Sequence, residues 1–510
     1  MPPSNGNGLP AQPGFKPSVF FGSIGLIAML MLFAALNAHE AASIFGAIQQ
    51  AATDSFGWLL VLTVNILLIC CGVLAFGRLG TIRLGGEGAR PEFGTATWFA
   101  MLFSAGMGIG LLFYGVAEPV THFANPPATA FSNPDAHLPR GLASNAQHAM
   151  GVTFLHWGLH AWSIYAIIAL ALAYISFNRG LPLSIGAFLK AAFPKIPGPA
   201  IDLIDILAIA ATICGVAASL GLGASQINAG LTLLAGVPDT ALTKFILITA
   251  ITGCATLSVA FGLNAGIKRL SEINMVLALG LALFLLFMGP TVFLLNAFIQ
   301  NVGYYVQRFI YLSTWTESYS PSHWQGAWTI FYYAWWISWS PFVGIFIARI
   351  SFGRTIREFI AGVLLVPTLF TFIWMTIFGD SALYIELFGA GGLAKAVSES
   401  MPDALFAFLH HYPFTPVVSG LAIIIVATFF VTSADSGALV TAMIASGGHH
   451  EAGFVHRVTW AVSIGLLAAV LLWAGGLTAL QTAAIVTGLP FALVLLAMAF
   501  GLIRLLREEL

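Results

Sequence analysis

The residues best suited to chemistry sit in two tryptophan-rich stretches. One reads His156-Trp157-Gly158-Leu159-His160-Ala161-Trp162-Ser163-Ile164-Tyr165, the other Ala334-Trp335-Trp336-Ile337-Ser338-Trp339-Ser340-Pro341. At roughly 100° per residue, Trp157, Trp162 and Tyr165 fall within about 140° of arc on a helix, and Trp335, Trp336 and Trp339 within about 100°. Rings gathered in this way form a box that holds a quaternary ammonium by cation–π attraction, worth about 2 kcal/mol or more per desolvated contact. Aromatic core packing is the competing reading of either stretch alone. His156 and His160 point away from the aromatic side. Their i, i+4 spacing suits a metal, but no third ligand accompanies them, and helix–helix hydrogen bonding is the alternative. Further on, Val431-Thr432-Ser433-Ala434-Asp435-Ser436 offers two hydroxyls, Thr432 and Ser433, of the hard oxygen type that Na+ prefers. The acid beside them, Asp435, is either functional or a structural hydrogen-bond hub.

The elements that position these residues are membrane spans. Of 510 residues, 59% are hydrophobic and 8% charged, and the mean hydropathy is +0.92. A water-facing protein carries about 25% charged residues, so the exterior here is lipid-facing. The net charge of −1 suggests no nucleic-acid partner. Cys70, Cys71, Cys214 and Cys254 all lie in apolar segments without metal or redox spacing and read as small buried hydrophobes. The first apolar run has no strong cleavage pattern after it and is expected to be retained as a span.

About 20 apolar residues are needed to cross the hydrocarbon core. Runs of that order lie near 18–37, 57–77, 95–117, 147–175, 203–235, 242–266, 273–300, 326–350, 357–379, 414–446, 458–475 and 477–503. With the N-terminus cytoplasmic, fifteen of the 19 Lys and Arg fall in inside loops, and Arg140, Lys244, Arg308 and Lys395 fall outside. That bias supports twelve transmembrane helices with both termini in the cytoplasm. Residues 118–146 read as an ordered extracellular loop, and 301–325 as an amphipathic helix lying along the interface.

Two spans carry interruptions. Gly106, Gly108 and Gly110 fall within Ser104-Ala105-Gly106-Met107-Gly108-Ile109-Gly110 of the third span, and Pro341 lies in the eighth. Each glycine weakens a helix by about 1 kcal/mol relative to alanine, and the proline removes a backbone donor. Spans three and eight are five apart, so they cross in opposite directions, and each opens a five-helix unit. Interruptions at matching places in inverted halves point to a transporter site at the midplane, here where the two spans cross. Carbonyls freed near Gly106 would add oxygens for a coupling ion. No cofactor is implied.

With these residues in place, the chain resembles the betaine/carnitine/choline transporter family. The matching stretches are Gly106 through Pro119, the aromatic motif of the fourth span, Tyr333 through Arg349, and Thr432 through Ser436, and the likeness covers roughly residues 18 to 503. It implies an all-α polytopic membrane protein of LeuT-like fold with two inverted five-helix repeats, often a homotrimer, in the bacterial inner membrane. The division would be 1–94 for the N-terminal tail and two extra helices, 95–300 for the first repeat, 301–325 for the interfacial helix and 326–510 for the second repeat. The resemblance implies import of a zwitterionic quaternary-ammonium compound, glycine betaine or carnitine, by Na+ symport. Trp157, Trp162, Tyr165 and Trp336 match the aromatic box, with Trp335 and Trp339 flanking the path. One Na+ site would use the side chains of Thr432 and Ser433 with backbone oxygens of Ser104, Met107 and Phe429.

Three departures from the family pattern matter. A second Na+ site in those members uses two threonines four apart; this chain keeps Thr212 but has Val216, which puts the second ion in doubt. Choline carriers of the family tend to place an acid where Gly110 stands, so a zwitterion is favoured over choline. The long charged C-terminal tail of osmotically activated members has no counterpart here, and uptake without osmotic gating is expected. Alternatives are uptake of choline or another osmolyte coupled to protons, or a sodium-independent substrate:product exchanger, although the exchangers usually lack the oxygens of Thr432 and Ser433. A channel suits a tryptophan-lined box poorly, and an enzyme would need a third group beside His156, His160 and Asp435.

Overall fold

The computed structural model describes residues 16–38, 40–106, 108–127, 139–261, 264–320, 322–448 and 453–509. Among them the structure is helical, apart from one isolated antiparallel bridge between Arg83 and Thr355. The first half holds α1 (Pro17–Leu36), α2 (Ala41–Phe76), α3 (Thr95–Gly106), α4 (Ile109–Ala124), α5 (Pro139–Trp157), α6 (Leu159–Arg179), α7 (Ile185–Ala192), α8 (Gly198–Ala235), α9 (Ala241–Phe261) and α10 (Asn264–Met288). The second holds α11 (Thr291–Thr314), α12 (Phe331–Arg349), α13 (Ile356–Met375), α14 (Ser381–Phe388), α15 (Leu393–Glu399), α16 (Ala404–Leu409), α17 (Thr415–Ala445) and α18 (Phe454–Arg507). Ten helical stretches among the described residues are long and apolar enough to cross a membrane, and the bent pair α3–α4 makes eleven.

Burial sorts the helices into an inner and an outer set. Every residue from Ala208 to Gly230 of α8 is buried, as is His160 to Ile175 of α6, so these apolar helices are surrounded by protein. The periphery is apolar too: Phe76 is 91% exposed, Ile310 74% and Val292 73%. Large apolar side chains facing outward on this scale mark a lipid-facing surface. Cys254 belongs to that surface; contrary to the sequence reading it is exposed, while Cys70, Cys71 and Cys214 are buried.

Loops assigned to the inside meet at one end of the bundle. Leu84 N–H donates to the Arg354 carbonyl and Gly353 N–H to that of Leu84, both at 2.9 Å. Arg354 also reaches the Phe93 carbonyl, Arg357 that of Ala75, and Lys16 pairs with Asp205. The two loops that share these bonds, between α2 and α3 and between α12 and α13, must emerge on the same side, which agrees with the alternation read from the charges.

Several boundaries differ from expectation. Residues 118–124 continue α4, and the connection to α5 is correspondingly shorter than the 118–146 loop inferred from composition. Glu118 thus sits inside the bundle. The amphipathic helix begins at Thr291 rather than 301, because Gly289 and Pro290 end α10 and start α11. Its buried side is narrow, with Leu294, Asn301, Tyr304, Tyr305, Leu312 and Ser313. Span eight is not broken at Pro341: α12 runs through it. The proline denies a donor to the Ile337 carbonyl, and the Ser340 hydroxyl donates to that carbonyl instead, at 2.7 Å. The irregular segment lies earlier, as a π-helical turn over Gly326–Ile330.

Candidate functional site

The glycines of the third span do break it. The segments on either side of the Gly106–Gly108 break are bent by 66°. Gly106 is the last residue of α3, Met107 lies outside the described residues, and Gly108 is fully extended (φ −165, ψ 178) ahead of α4. A second break, unread in the sequence, falls at Gly158 (φ −97, ψ −142) between α5 and α6. Trp157 therefore ends one helix while Trp162 and Tyr165 ride on the next.

Despite that break, all six predicted aromatic residues surround one space. A cavity of about 40 Å³ is lined by Trp157, Trp162, Tyr165, Trp335, Trp336 and Trp339, with Gly108, Gly110, Leu111, Ala161, Ser219 and Thr371. Trp335 and Trp336 stack, with centroids 4.7 Å apart and planes at 14°. Trp157 meets Trp336 edge-on at 5.0 Å, and Trp162 meets Tyr165 edge-on at 5.4 Å. Three indole N–H groups are tied into the walls. Trp336 Nε1 donates to the His156 carbonyl at 2.9 Å, Trp335 Nε1 to the Gly215 carbonyl at 3.2 Å, and Trp157 Nε1 to Glu118 Oε2 at 2.7 Å. Each ring is thereby fixed by its polar edge, leaving carbon surface to the cavity. Gly110 has no room for a side chain: a Cβ there would lie 2.9 Å from Trp157 Cη2 and 3.0 Å from Trp335 Cη2.

A second cavity, of about 160 Å³, adjoins the first at Trp339, which lines both. Ser104, Phe429, Thr432 and Ser433 line it together with Ser271, Asn274 and Ser436. Four of the five residues expected around Na+ are thus brought to one space; the fifth is Met107. Thr432 Oγ1 donates to the Thr428 and Phe429 carbonyls at 3.0 and 3.2 Å, which leaves its oxygen lone pairs free to meet a cation. Thr212 is placed elsewhere. Its hydroxyl donates to the Ala208 carbonyl at 2.8 Å, it lines neither cavity, and Val216 is fully buried without an oxygen to offer. Asp435 lines neither cavity either.

Residues 18–510 match the family described as "BCCT, betaine/carnitine/choline family transporter". The chain is 46% identical over 496 residues to the glycine betaine transporter of Acinetobacter baylyi, covering 97% of this chain and 74% of that protein. It is 45% identical to the glycine betaine transporter OpuD of Bacillus subtilis, covering 96% and 94%. With the high-affinity choline transport protein of Escherichia coli K12 it shares 41% identity over 97% of this chain and 72% of that one.

The chain belongs to the betaine/carnitine/choline transporter family. It is a transporter rather than an enzyme.

In this family member the histidines divide. His156 does make helix–helix bonds, with Nδ1 2.6 Å from Glu118 Oε1 and Nε2 2.9 Å from Thr329 Oγ1. His160 does not: its ring packs beside Tyr333 and Phe309, and neither nitrogen has a hydrogen-bond partner among the described residues. The third group missing from the sequence reading of His156 comes from α4. Glu118, His122 and His156 bring one ligand-type atom each within 4.8 Å. Reading Glu118 as the start of a loop hid this cluster, although an acid four residues before a histidine at the end of an apolar run is a legible signal. Gly215, Ser219 and Thr371 also had no signal of their own; they are small residues whose value lies in what packs on them.

Proposed function

We propose that this transporter imports a zwitterionic quaternary-ammonium compound of the glycine betaine or carnitine type, by Na+ symport with alternating access. The observation that carries the reading is the single cavity ringed by six aromatic side chains. Such a lining suits a trimethylammonium group, which rings attract and which water solvates weakly. The names of the relatives from Acinetobacter baylyi and Bacillus subtilis point to the same substrate. The carboxylate of the zwitterion would face the start of α4 at Gly108–Gly110, where first-turn N–H groups and the helix dipole favour an anion. As it stands the cavity has room for about three waters, so the rings must part to admit the substrate and close on it again.

Na+ would be held below Trp339 by the hydroxyls of Thr432 and Ser433 and by backbone oxygens of Ser104, Met107 and Phe429. The cavity shared by Ser104, Phe429, Thr432 and Ser433 supports this assignment, as does the preference of Na+ for uncharged oxygen ligands at unwound backbone. Twelve spans follow if α18 is two helices. Its 54 residues are far longer than the roughly 20 needed to cross a bilayer, and they turn at Gly476, which has φ 63 and ψ −152. The twelve would form two extra helices and two inverted five-helix repeats of the LeuT type, with both termini cytoplasmic, in a bacterial inner membrane and as a homotrimer.

Choline uptake is the second reading, favoured by the 41% identity to a choline transport protein. Titrations of purified protein with glycine betaine, carnitine and choline, followed by tryptophan fluorescence with and without Na+, separate the two. Trp336→Leu removes one wall of the box and is expected to weaken betaine binding by about thirtyfold, the equivalent of a ~2 kcal/mol contact. Betaine binding indifferent to Na+ would rule out the symport reading, and a choline preference would reverse the substrate assignment.

A further inference from the structure

Glu118 is a fully buried acid one hydrogen bond behind the box. Its carboxylate has 0% exposure and lines neither cavity. Taking such a group out of water is worthwhile only when its charge is answered by donors. Three donors converge on it from two helices, α5 and α12: Trp157 Nε1 at 2.7 Å, the Tyr332 hydroxyl at 2.5 Å, and His156 Nδ1 at 2.6 Å. A fourth group, His122, holds Nε2 3.4 Å from Oε1, and its ring is wedged against Trp324 and Trp328 with centroids 4.9 and 4.5 Å away. Tyr114 of the same helix packs against Tyr332 and against Trp157. The cluster resembles a metal triad in residue type. The 2.6 Å between His156 and Glu118, however, is a hydrogen-bond distance; ligands on one tetrahedral ion stand about 3.3 Å apart.

We propose that Glu118 is the buried countercharge of the aromatic box and acts on the substrate through the indole of Trp157. The proposal rests on the quaternary-ammonium reading above. An indole N–H that donates to an anion is polarised, and electron density moves toward the ring whose surface meets the cavity. Attraction of a cation to an aromatic face depends on that density, and in a low-dielectric interior the carboxylate's own field adds to it. Glu118 is therefore a positioning residue with an electrostatic task. It selects for positive charge at the quaternary centre, while shape selection belongs to the rings. That division explains why an acid sits behind the box even though Gly110 leaves none in front of it.

The test compares glycine betaine with 3,3-dimethylbutanoate, its carbon isostere, in which a neutral tert-butyl group replaces trimethylammonium. Affinities of both are measured by tryptophan fluorescence on purified full-length protein and its Glu118→Gln variant, with melting of each protein as the folding control. Glu118→Gln is expected to lower the ratio of betaine to isostere affinity by about tenfold. A role limited to holding Trp157 in place would weaken both ligands equally, and an unchanged ratio overturns the proposal. His122→Lys serves independently should Glu118→Gln fail to fold. It sets a permanent cation beside Oε1 while leaving the bond from Trp157 intact, so the ratio must fall again; a ratio that holds or rises also overturns the proposal. Wild-type protein that binds no betaine refutes the substrate reading and takes this one with it. Wild-type binding with an unmoved ratio in the variants refutes the role of Glu118 alone.

Discussion

Gly110→Ala tests whether the box is set by packing of the rings against a bare stretch of helix. The added Cβ would stand 2.9 Å from Trp157 Cη2 and 3.0 Å from Trp335 Cη2, whereas carbon atoms rest about 3.5–4.0 Å apart. Each ring would have to retreat by about 0.5–1 Å. Neither is free to do so, since Trp157 is tied to Glu118 at 2.7 Å, and Trp335 is tied to the Gly215 carbonyl and stacked on Trp336 at 4.7 Å. Overpacking of this kind costs about 1–3 kcal/mol, and both rings are walls of the site, so much of the cost falls on the bound state. Betaine affinity is expected to fall by about tenfold to a hundredfold. Gly108→Ala is the matched control. Its backbone is extended, which any residue adopts, and its Cβ would meet only Trp339 Cη2 at 3.9 Å, an ordinary contact. Fluorescence titration of both variants, with thermal melting of the unliganded proteins, checks the pair. Equal damage from the two substitutions, or wild-type affinity in Gly110→Ala, would refute the steric argument.

Two further substitutions probe other parts of the structure. Ser433→Ala removes a hydroxyl from the cavity below Trp339; the Na+ concentration for half-maximal betaine binding should rise by about tenfold, with affinity at saturating Na+ little changed, and an unaltered Na+ dependence would place the ion elsewhere. Ser340→Ala should lower the melting temperature, because the Ile337 carbonyl loses the donor that replaces the N–H absent at Pro341, at a cost of about 1 kcal/mol; unchanged melting would mean that the carbonyl is satisfied in another way.

The aromatic box was legible in the sequence because its residues are rare in spans and recur on two segments. Helical periodicity placed Trp157, Trp162 and Tyr165 on one side, and they do share a cavity, yet an unbroken helix was the wrong premise. The break falls at a residue where only glycine fits: a Cβ at Gly158 would lie 2.4 Å from the Phe154 carbonyl and 3.0 Å from the ring of Phe372, a distant segment that no local pattern reports. Pro341 misled in the opposite direction. Proline breaks a helix when the freed carbonyl has no substitute donor, and Ser340, adjacent in sequence, supplies one. Glu118 was missed because an acid followed by proline reads as a loop start, whereas donors on α5 and α12 keep it inside. Such partners come from distant segments and leave no trace in local composition.

The position of Trp339 bears on how substrate and ion would be coupled. Trp339 lines both the aromatic cavity and the hydroxyl-lined cavity. Its Nε1 has no hydrogen-bond partner among the described residues, unlike the indoles of Trp157, Trp335 and Trp336. Gly215 packs under it, where a Cβ would approach its Cδ1 to 2.7 Å. The ring is thus confined sterically but not tied by its polar edge, which suits a partition that shifts more readily than the three tied indoles. Filling either cavity acts on the same ring, and a ligand that prefers one position of it must favour the other ligand that shares that preference. Coupling of this kind is reciprocal and needs no contact between the cation of the substrate and Na+. Two positive charges can then occupy neighbouring cavities, each with its own oxygen or π-electron partners, separated by one indole.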